Sequence, residues 1–563
     1  MSATSNSLPS TPPLGGRPPS PSSRWILNSW GDLALFVATP LVIVPLVMVL
    51  LRSAWFGLSV ETLSVLVAAF GALGHHLPGM LRAYGDRELF RRFRLRFILA
   101  PLFLLAVCIP LSQHHLSSML LILLLWGFWH GLMQVYGFVR IYDAKVGSNA
   151  RWTAPLDWLM CLMWFGAGLI SSDGMVVRIV SAWYSAGGPL IPPAAIDWSR
   201  TLWWGGALVV LVAFAFNFVR QWRIGPRPNP NKLLMLAGGI GFWWFAMVYV
   251  DNILLGVALF EIFHDVQYLA IVWLFNRRRA ETNPAVGSFM RFLFRRSPAM
   301  LLAYMGMVLA YGWISYFGKE LESETWKRAL MGFVWASTLL HFYYDGFIWK
   351  VREKSIRAGL GLTEGASTST KVRMDWGELT HLVKWAPFVG LVTWLTLAES
   401  EASTPPPPGQ AQRVWPGEAH FQWYENIVRI VPSDLVSQSR YASMLDNVGR
   451  TDEAQRRLTD LLEKHPGYVQ GHLLLGEIHQ RLQELDEAGA CYEAGLAAAK
   501  LPEDRFAAHV RLGALLRQQE ELDRACEQYE QALKLRPQDA PAAAALREVQ
   551  LQRNARQPRT GNR

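Results

Sequence analysis

The chain has 563 residues, of which 51% are hydrophobic, 12% aromatic and only 17% charged, with 25 tryptophans. That length exceeds one compact core, and soluble domains carry roughly 25% charged residues, so a single soluble domain is excluded. The net charge of +10 does not indicate nucleic acid, because most arginines fall in short loops between apolar runs, as membrane orientation requires.

Residues 1–23, rich in Ser, Pro and Gly, are expected to be a disordered tail. They lack the apolar core of a cleavable signal peptide. Residues 24–399 are expected to form a transmembrane helical domain, since a run of about 20 apolar residues crosses the hydrocarbon layer. Eleven candidate spans occur, at 31–52, 57–80, 97–115, 116–140, 153–171, 201–219, 233–249, 252–275, 298–317, 328–349 and 380–398. The stretch 185–193, too short and too rich in Gly and Pro to span, reads as a loop or re-entrant piece.

The basic loops 82–96, 140–151, 220–232, 276–296 and 350–359 all come after even-numbered spans. With the amino terminus in the cytoplasm, every basic loop lies inside, and the chain after the last span lies outside. The four cysteines, Cys108, Cys161, Cys491 and Cys526, show neither CxxC nor Cys/His zinc spacing, so no disulfide framework or zinc site is expected.

A Pro-rich linker, 400–414, leads to a repeat domain over 415–556 and a second disordered tail, 557–563. Leu475-Gly476, Ala488 and Tyr492 reappear as Leu512-Gly513, Ala525 and Tyr529, with Ala532 and Pro537 after them. Ala454 precedes Ala488 by 34 residues and Pro432 precedes Pro466 by 34, while Ala488 to Ala525 is 37, which places an insertion near Leu501-Pro502. This pattern resembles the tetratricopeptide repeat, a helix–turn–helix unit of 34 residues. The resemblance implies a surface that binds a peptide or protein partner, and no catalysis; a spacer or oligomerisation module is the other reading. Two repeats stand out, a third covers 435–468, 419–431 reads as half a repeat, and the helix from Asp539 reads as a cap. The fold class is therefore all-α, a polytopic transmembrane bundle leading into a helical solenoid. His465, His472, His479 and His509 are expected to be packing or surface residues.

Ionisable groups inside a bilayer are expensive and mark candidate function. Span two ends on His75 and His76. Span four carries His130 with Gln134, span eight carries Glu261, His264, Asp265, Gln267 and Tyr268, and span ten carries His341, Tyr344 and Asp345. Asp157 and Asp251 fall near span ends and are expected to be solvated. Glu261 and His264 are three apart and His341 and Asp345 four apart, so each pair shares a helix face. Carboxylate–imidazole pairs of this kind hold the metals of di-iron and di-manganese helix bundles.

At 1.5 Å per residue, the five histidines and Asp345 fall roughly 7–18 Å from the cytoplasmic ends of their spans, in one half of the bilayer. His114 and His115 fall at the opposite face. The expected metal ligands are His75, His76, His130, Glu261, His264, His341 and Asp345, with Gln134, Asp265, Gln267, Tyr268 and Tyr344 orienting them; a polar or proton-relay network and unrelated structural histidines are the other readings of the same residues. Imidazole and carboxylate without thiolate favour iron, as one ion or two, ahead of manganese or zinc.

The stretches "WHGLMQVYG" and "FHDVQYLAIVW" resemble the bacteriorhodopsin-related Brp/Blh family of carotene-cleaving oxygenases. That resemblance implies iron bound by histidines of several spans, His130 and His264 here with one of the 75–76 pair, and oxidation of an apolar substrate by dioxygen. The family's closely paired histidines on one helix have no counterpart, and His341 and Asp345 take their place. The HxxxH and HxxHH patterns of membrane desaturases are absent. Polytopic glycosyltransferases that end in such repeats carry acidic pairs in their first external loop, which is only "SAWFG" here. The reading is an integral membrane metalloenzyme, an iron-dependent oxygenase, hydroxylase or desaturase-like enzyme acting on an apolar or lipid substrate. The alternative is a non-enzymatic membrane scaffold or transporter whose repeats recruit partners.

Overall fold

The computed structural model describes residues 24–53, 58–114, 117–148, 150–283, 286–349, 386, 389–400 and 416–556. The expected tails, the linker beyond Ser400, the basic loop 350–359 and His115 lie outside those residues. Among the described residues the chain is helical, and the only strand-like pairing is an isolated bridge between Asp86 and Val286. The chain divides into two compact units, the second holding Pro189–Asp197 together with the described residues from 416 onward.

The first unit opens with α1 (Ser29–Val37) and α2 (Pro40–Arg52), bent by 48° to each other, with Pro40 in the first turn of α2, where its missing N–H costs nothing. Then come α3 (Val60–Gly85), α4 (Arg87–Gln113), α5 (Ser117–Lys145), α6 (Thr153–Ser171), α7 (Asp173–Ser185), α8 (Pro193–Ile224), α9 (Asn231–Tyr249) and α10 (Ile253–Thr282). The short α11 (Ser288–Leu293) leads to α12 (Pro298–Phe317), α13 (Glu324–Ile348) and α14 (Val389–Ser400).

Eight of these helices are long and apolar enough to cross a membrane, or nine with the bent α1–α2 pair. All eleven sequence spans fall wholly or partly on helices. The tenth, α13, stays below that apolarity because it carries Glu324, Lys327, Arg328, His341 and Asp345, and the described part of the eleventh is α14, of 12 residues. The segment 186–192 is a non-helical connection between α7 and α8.

Among the described residues three stretches are wound as π-helix: Leu33–Val37 in α1, Val67–Leu73 in α3 and Phe245–Tyr249 in α9. Such turns carry an extra residue and shift the phase of the residues beyond them. In α3 the π stretch gives way to a break at Gly74–His75 before the helix restarts at His76. Consecutive residues of a continuous helix point about 100° apart, yet His75 and His76 are both buried, and the break is what turns both inward. α10 is embedded among α2, α3, α5 and α9, and buries Phe263, His264, Asp265, Gln267 and Tyr268 together.

Polar clamps join the helix ends. Lys232 Nζ lies 2.8 Å from both Asp143 Oδ2 and Asp157 Oδ1, and Arg140 Nη1 lies 2.9 and 2.7 Å from the same two carboxylates. Asp157 is therefore not solvated as its span-end position suggested; it is fully buried and its charge is met by two cations. Asp251 is exposed. Arg279 joins α10 to Asp86 and Glu88.

In the second unit, α15 (Pro416–Ile430) precedes three helix pairs: α16 (Leu435–Asn447) with α17 (Thr451–Lys464), α18 (Val469–Arg481) with α19 (Leu485–Ala498), and α20 (Pro502–Gln518) with α21 (Leu522–Leu535). α22 (Ala540–Arg556) closes the array, with Asp539 accepting from the Ala542 N–H at its start. Each pair turns through one residue of positive φ: Gly449, Gln483 and Glu520. The insertion near Leu501-Pro502 appears as a longer first helix, 17 residues in α20 against 13 in α18. Small residues seat large ones, since a Cβ on Gly476 would stand 2.5 Å from the Tyr492 ring and one on Gly513 3.0 Å from Tyr529.

All four cysteines are free. The histidines here are local: His472 meets the Pro466 carbonyl, His479 meets Glu484 and His509 meets Gln528. His465 is exposed.

Candidate metal centre

Four helices bring five imidazoles into one buried cluster: His75 and His76 from α3, His130 from α5, His264 from α10 and His341 from α13. The His341 ring sits in the middle, 4.6 Å from the His75 and His76 rings and 4.7 Å from that of His130. His264 faces His130 at 5.0 Å and His75 at 5.1 Å. Exposed His114, at the far end of α4, takes no part.

The nitrogen geometry tests whether the cluster suits a cation. His75 Nδ1 lies 3.1 Å from the Gly71 carbonyl and 2.7 Å from Asp265 Oδ1. Both are acceptors, so Nδ1 carries the hydrogen and Nε2 presents its lone pair. His341 Nε2 lies 3.0 Å from that Nε2 and 3.1 Å from His130 Nε2. A hydrogen on His341 Nε2 can be given to one of these neighbours but not to both, and without it the contact with His75 Nε2 sets two lone pairs against each other. A shared cation satisfies all three. Two ligands about 2.1 Å from a metal and 90° apart are themselves about 3.0 Å apart, which is the spacing found. The donor set fits a metal.

The carboxylates complete two sides of the cluster. Asp345 Oδ1 accepts from the Tyr268 hydroxyl at 3.0 Å and the Trp349 indole at 2.9 Å. Its Oδ2 is thereby turned to His341 and His130, 3.8 and 4.0 Å from their Nε2 atoms. On the other side, Glu261 and Asp265 lie one turn apart on α10 and gather with His75 into one set of ligand atoms. Three further sets are His75, His130 and His264; His75, His76 and His341; and His130, His341 and Asp345. All seven expected ligands thus belong to one contiguous cluster of overlapping sets.

The expected orienting residues divide. Asp265 holds His75, and Tyr268 holds Asp345. Gln134 and Gln267 do not turn to the imidazoles: Gln134 Nε2 donates to the His264 carbonyl and to Gln267 Oε1, both at 3.0 Å, and Gln267 donates to the Phe36 carbonyl. They pin α5 and α1 to α10 instead. Tyr344 faces away, its hydroxyl 2.9 Å from that of Tyr84 and its ring against Phe97. Three residues beyond His341, it is rotated by about 60° around α13, enough to point it at α4.

Sequence reading missed four participants. Ser337 Oγ lies 3.0 Å from His76 Nδ1, and the Tyr311 hydroxyl lies 2.8 Å from Ser337 Oγ. Trp349 braces Asp345, and the Arg82 guanidinium lies 4.0 Å from the Trp349 ring centroid and 4.1 Å from that of Phe275. By sequence Arg82 falls in a basic loop, but α3 runs on to Gly85 and buries it. Its signal is the seven-residue step from His75, two turns along the same face. Ser337 likewise stands four residues before His341.

Comparison with known families bears on the second unit. The tetratricopeptide-repeat family matches residues 445–500 and again residues 506–539. These residues are tetratricopeptide repeats. The two matches cover α17 to α19 and most of α20 and α21, and the α16–α17 pair has the same helix–turn–helix form just before them. No curated protein matches the chain.

Proposed function

We propose that the protein is an integral membrane metalloenzyme that binds iron in the histidine cluster and oxidises an apolar or lipid substrate, while its tetratricopeptide repeats bind a protein partner. The observation that carries this reading is the approach of the His75 and His130 Nε2 atoms to His341 Nε2, at 3.0 and 3.1 Å, with carboxylates on both flanks. Imidazole and carboxylate without thiolate favour iron over zinc or manganese. A second ion in the set of His75, Glu261 and Asp265 would require His75 to give up its Nδ1 hydrogen and bridge the two ions. In the proposed orientation the amino terminus is cytoplasmic and the repeats are extracytoplasmic, which keeps the basic loops inside.

Iron held by such ligands supplies one-electron chemistry with dioxygen at an otherwise inert C–H or C=C bond. The protein's own part is positioning. Asp265 fixes the His75 tautomer and raises its basicity as a ligand. Tyr268 and Trp349 hold Asp345 with one oxygen free. Ser337 fixes the His76 ring through Nδ1. The surrounding apolar helices keep water from the cluster.

The test is metal analysis of detergent-purified protein beside His264→Ala and His341→Ala. At least one iron per chain in the wild type, lost from both variants, is expected. Folded wild type that stays free of metal after reconstitution with iron overturns the reading and leaves a scaffold or transporter.

A further inference from the structure

α12 and α13 are neighbours in sequence, yet each turns its close-packing glycine elsewhere. Gly312 of α12 lies against the Ala69–Phe70 backbone of α3, where a Cβ would come within 2.5 Å. Gly332 of α13 lies against Cys108 and Ile109 of α4, where a Cβ would come within 2.6 Å. Between the two helices a cavity of about 460 Å³ remains, lined by Ser315, Gly318, Lys327, Leu330, Met331 and Val334. That volume lies within the range of small-molecule sites.

The cavity is aligned with the histidine cluster. Along α13, Lys327, Leu330, Val334, Ser337, His341 and Asp345 succeed one another at three- and four-residue steps, so they form one stripe on the helix. From Val334 to His341 is seven residues, about 10 Å of rise. On α12, Tyr311 stands one turn from Ser315. Between cavity and cluster lies a chain of hydroxyls: Tyr311 to Ser337 at 2.8 Å, and Ser337 to His76 at 3.0 Å. Lys327, in the lining, is paired at 2.9 Å with exposed Glu324, a pair whose ionic contact is weak in water and readily exchanged.

We infer that this cavity is the entrance for the substrate of the proposed centre, that its occupant is the acyl chain of a membrane lipid, and that Tyr311 and Ser337 form the polar gate between chain and cluster. The lipid's polar head stays at the mouth beside Lys327 and Glu324, while the chain runs along Leu330, Met331 and Val334 toward His76 and His341. Tyr311 and Ser337 are positioning residues: separating their hydroxyls opens the last turn. The inference rests on the proposed function for its end point, but the chain pocket itself is testable without it.

The experiment uses the full-length protein in lipid nanodiscs containing phosphatidylcholine with a diazirine on one acyl chain, with photolysis and then peptide mapping. Adducts concentrated on Ser315, Leu330, Met331 and Val334 are expected, reduced at least tenfold by Val334→Trp, unchanged by Val209→Trp on exposed α8, and reduced in the wild type by excess unlabelled oleate. Iron content in Val334→Trp should equal that of the wild type. Adducts spread over the exposed face of α8 at equal density, insensitive to oleate, overturn the inference. Concentrated, competable adducts on a protein that binds no iron sustain the lipid pocket and overturn only the metal reading.

Discussion

Replacing Asp265 with Asn tests the metal centre with a change of one atom. The Asp265 carboxylate touches His75 Nδ1 at 2.7 Å, and a cation on Nε2 of the same ring stands about 7 Å beyond that oxygen, given metal–nitrogen bonds of about 2.1 Å. A single negative charge facing a divalent ion at that distance interacts by about 5 kcal/mol at an effective dielectric constant near 20, which sets the ceiling. The amide keeps an oxygen able to accept the His75 hydrogen, so only part of this is lost. Partners of ligating histidines are worth 10–100-fold in metal affinity, about 1.4–2.7 kcal/mol. Iron affinity of Asp265→Asn should fall by that factor, measured by titrating apoprotein against a chelator of known affinity. Gly71→Ala should act in the same direction, because its Cβ would stand 2.1 Å from Asp265 Oδ2 and displace the carboxylate. An Asp265→Asn affinity within twofold of the wild type, with His341→Ala still abolishing binding, would refute the reasoning.

Other perturbations separate site from scaffold. Lys232→Met leaves buried Asp143 and Asp157 sharing Arg140 alone and should cost about 3–5 kcal/mol, seen as a lower thermal midpoint in detergent with iron content per folded chain unchanged. In the repeats, Tyr492→Ala empties the seat beneath Gly476 and should cost about 3–5 kcal/mol, whereas Gly476→Ala crowds it and should cost about 1–3 kcal/mol; chemical denaturation monitored by circular dichroism reads both. Burial raises the Glu453 carboxyl, but hydrogen bonds from Arg457 and Arg450 outweigh it and hold the group below its ordinary value. Its contribution to stability is therefore present above the unfolded value and disappears as pH falls through the lowered one, so Glu453→Gln should flatten the acid limb of the repeats' pH–stability curve.

Much of this was legible in the sequence, for a reason that differs between the two units. Tetratricopeptide repeats declare themselves because each packing position recurs at a fixed interval, and even the longer α20 is visible as a 37-residue step. In the membrane unit, length and apolarity located the helices, and the cost of burying an imidazole singled out His75, His76, His130, His264 and His341. What the sequence did not carry is rotation. Gln134 and Gln267 share helices with His130 and His264, yet they point at backbone on neighbouring helices, and Tyr344 turns toward Tyr84. Asp157 reads as solvated because Lys232, which neutralises it, is 75 residues away. The π stretches leave no periodic trace, so the inward turn of both His75 and His76 had no signal beyond their adjacency to Gly74.

The π stretch Val67–Leu73 has a bearing on how easily this centre is lost. Its hydrogen bonds already accommodate one residue more than an α-helix needs, so deleting a single residue there would let α3 wind regularly and should not unfold it. Because the π turn absorbs that residue locally, everything beyond would keep nearly its present phase and His75 and His76 would stay in the cluster, whereas a deletion in a regularly wound part of α3 would rotate them by about 100° and draw them back by about 1.5 Å. A protein so altered would still insert, still display its repeats and still pack its helices. The centre is therefore buffered against the loss of one residue within Val67–Leu73 and exposed to the loss of one elsewhere in α3, where the same small change would part the imidazoles while the architecture around them remained.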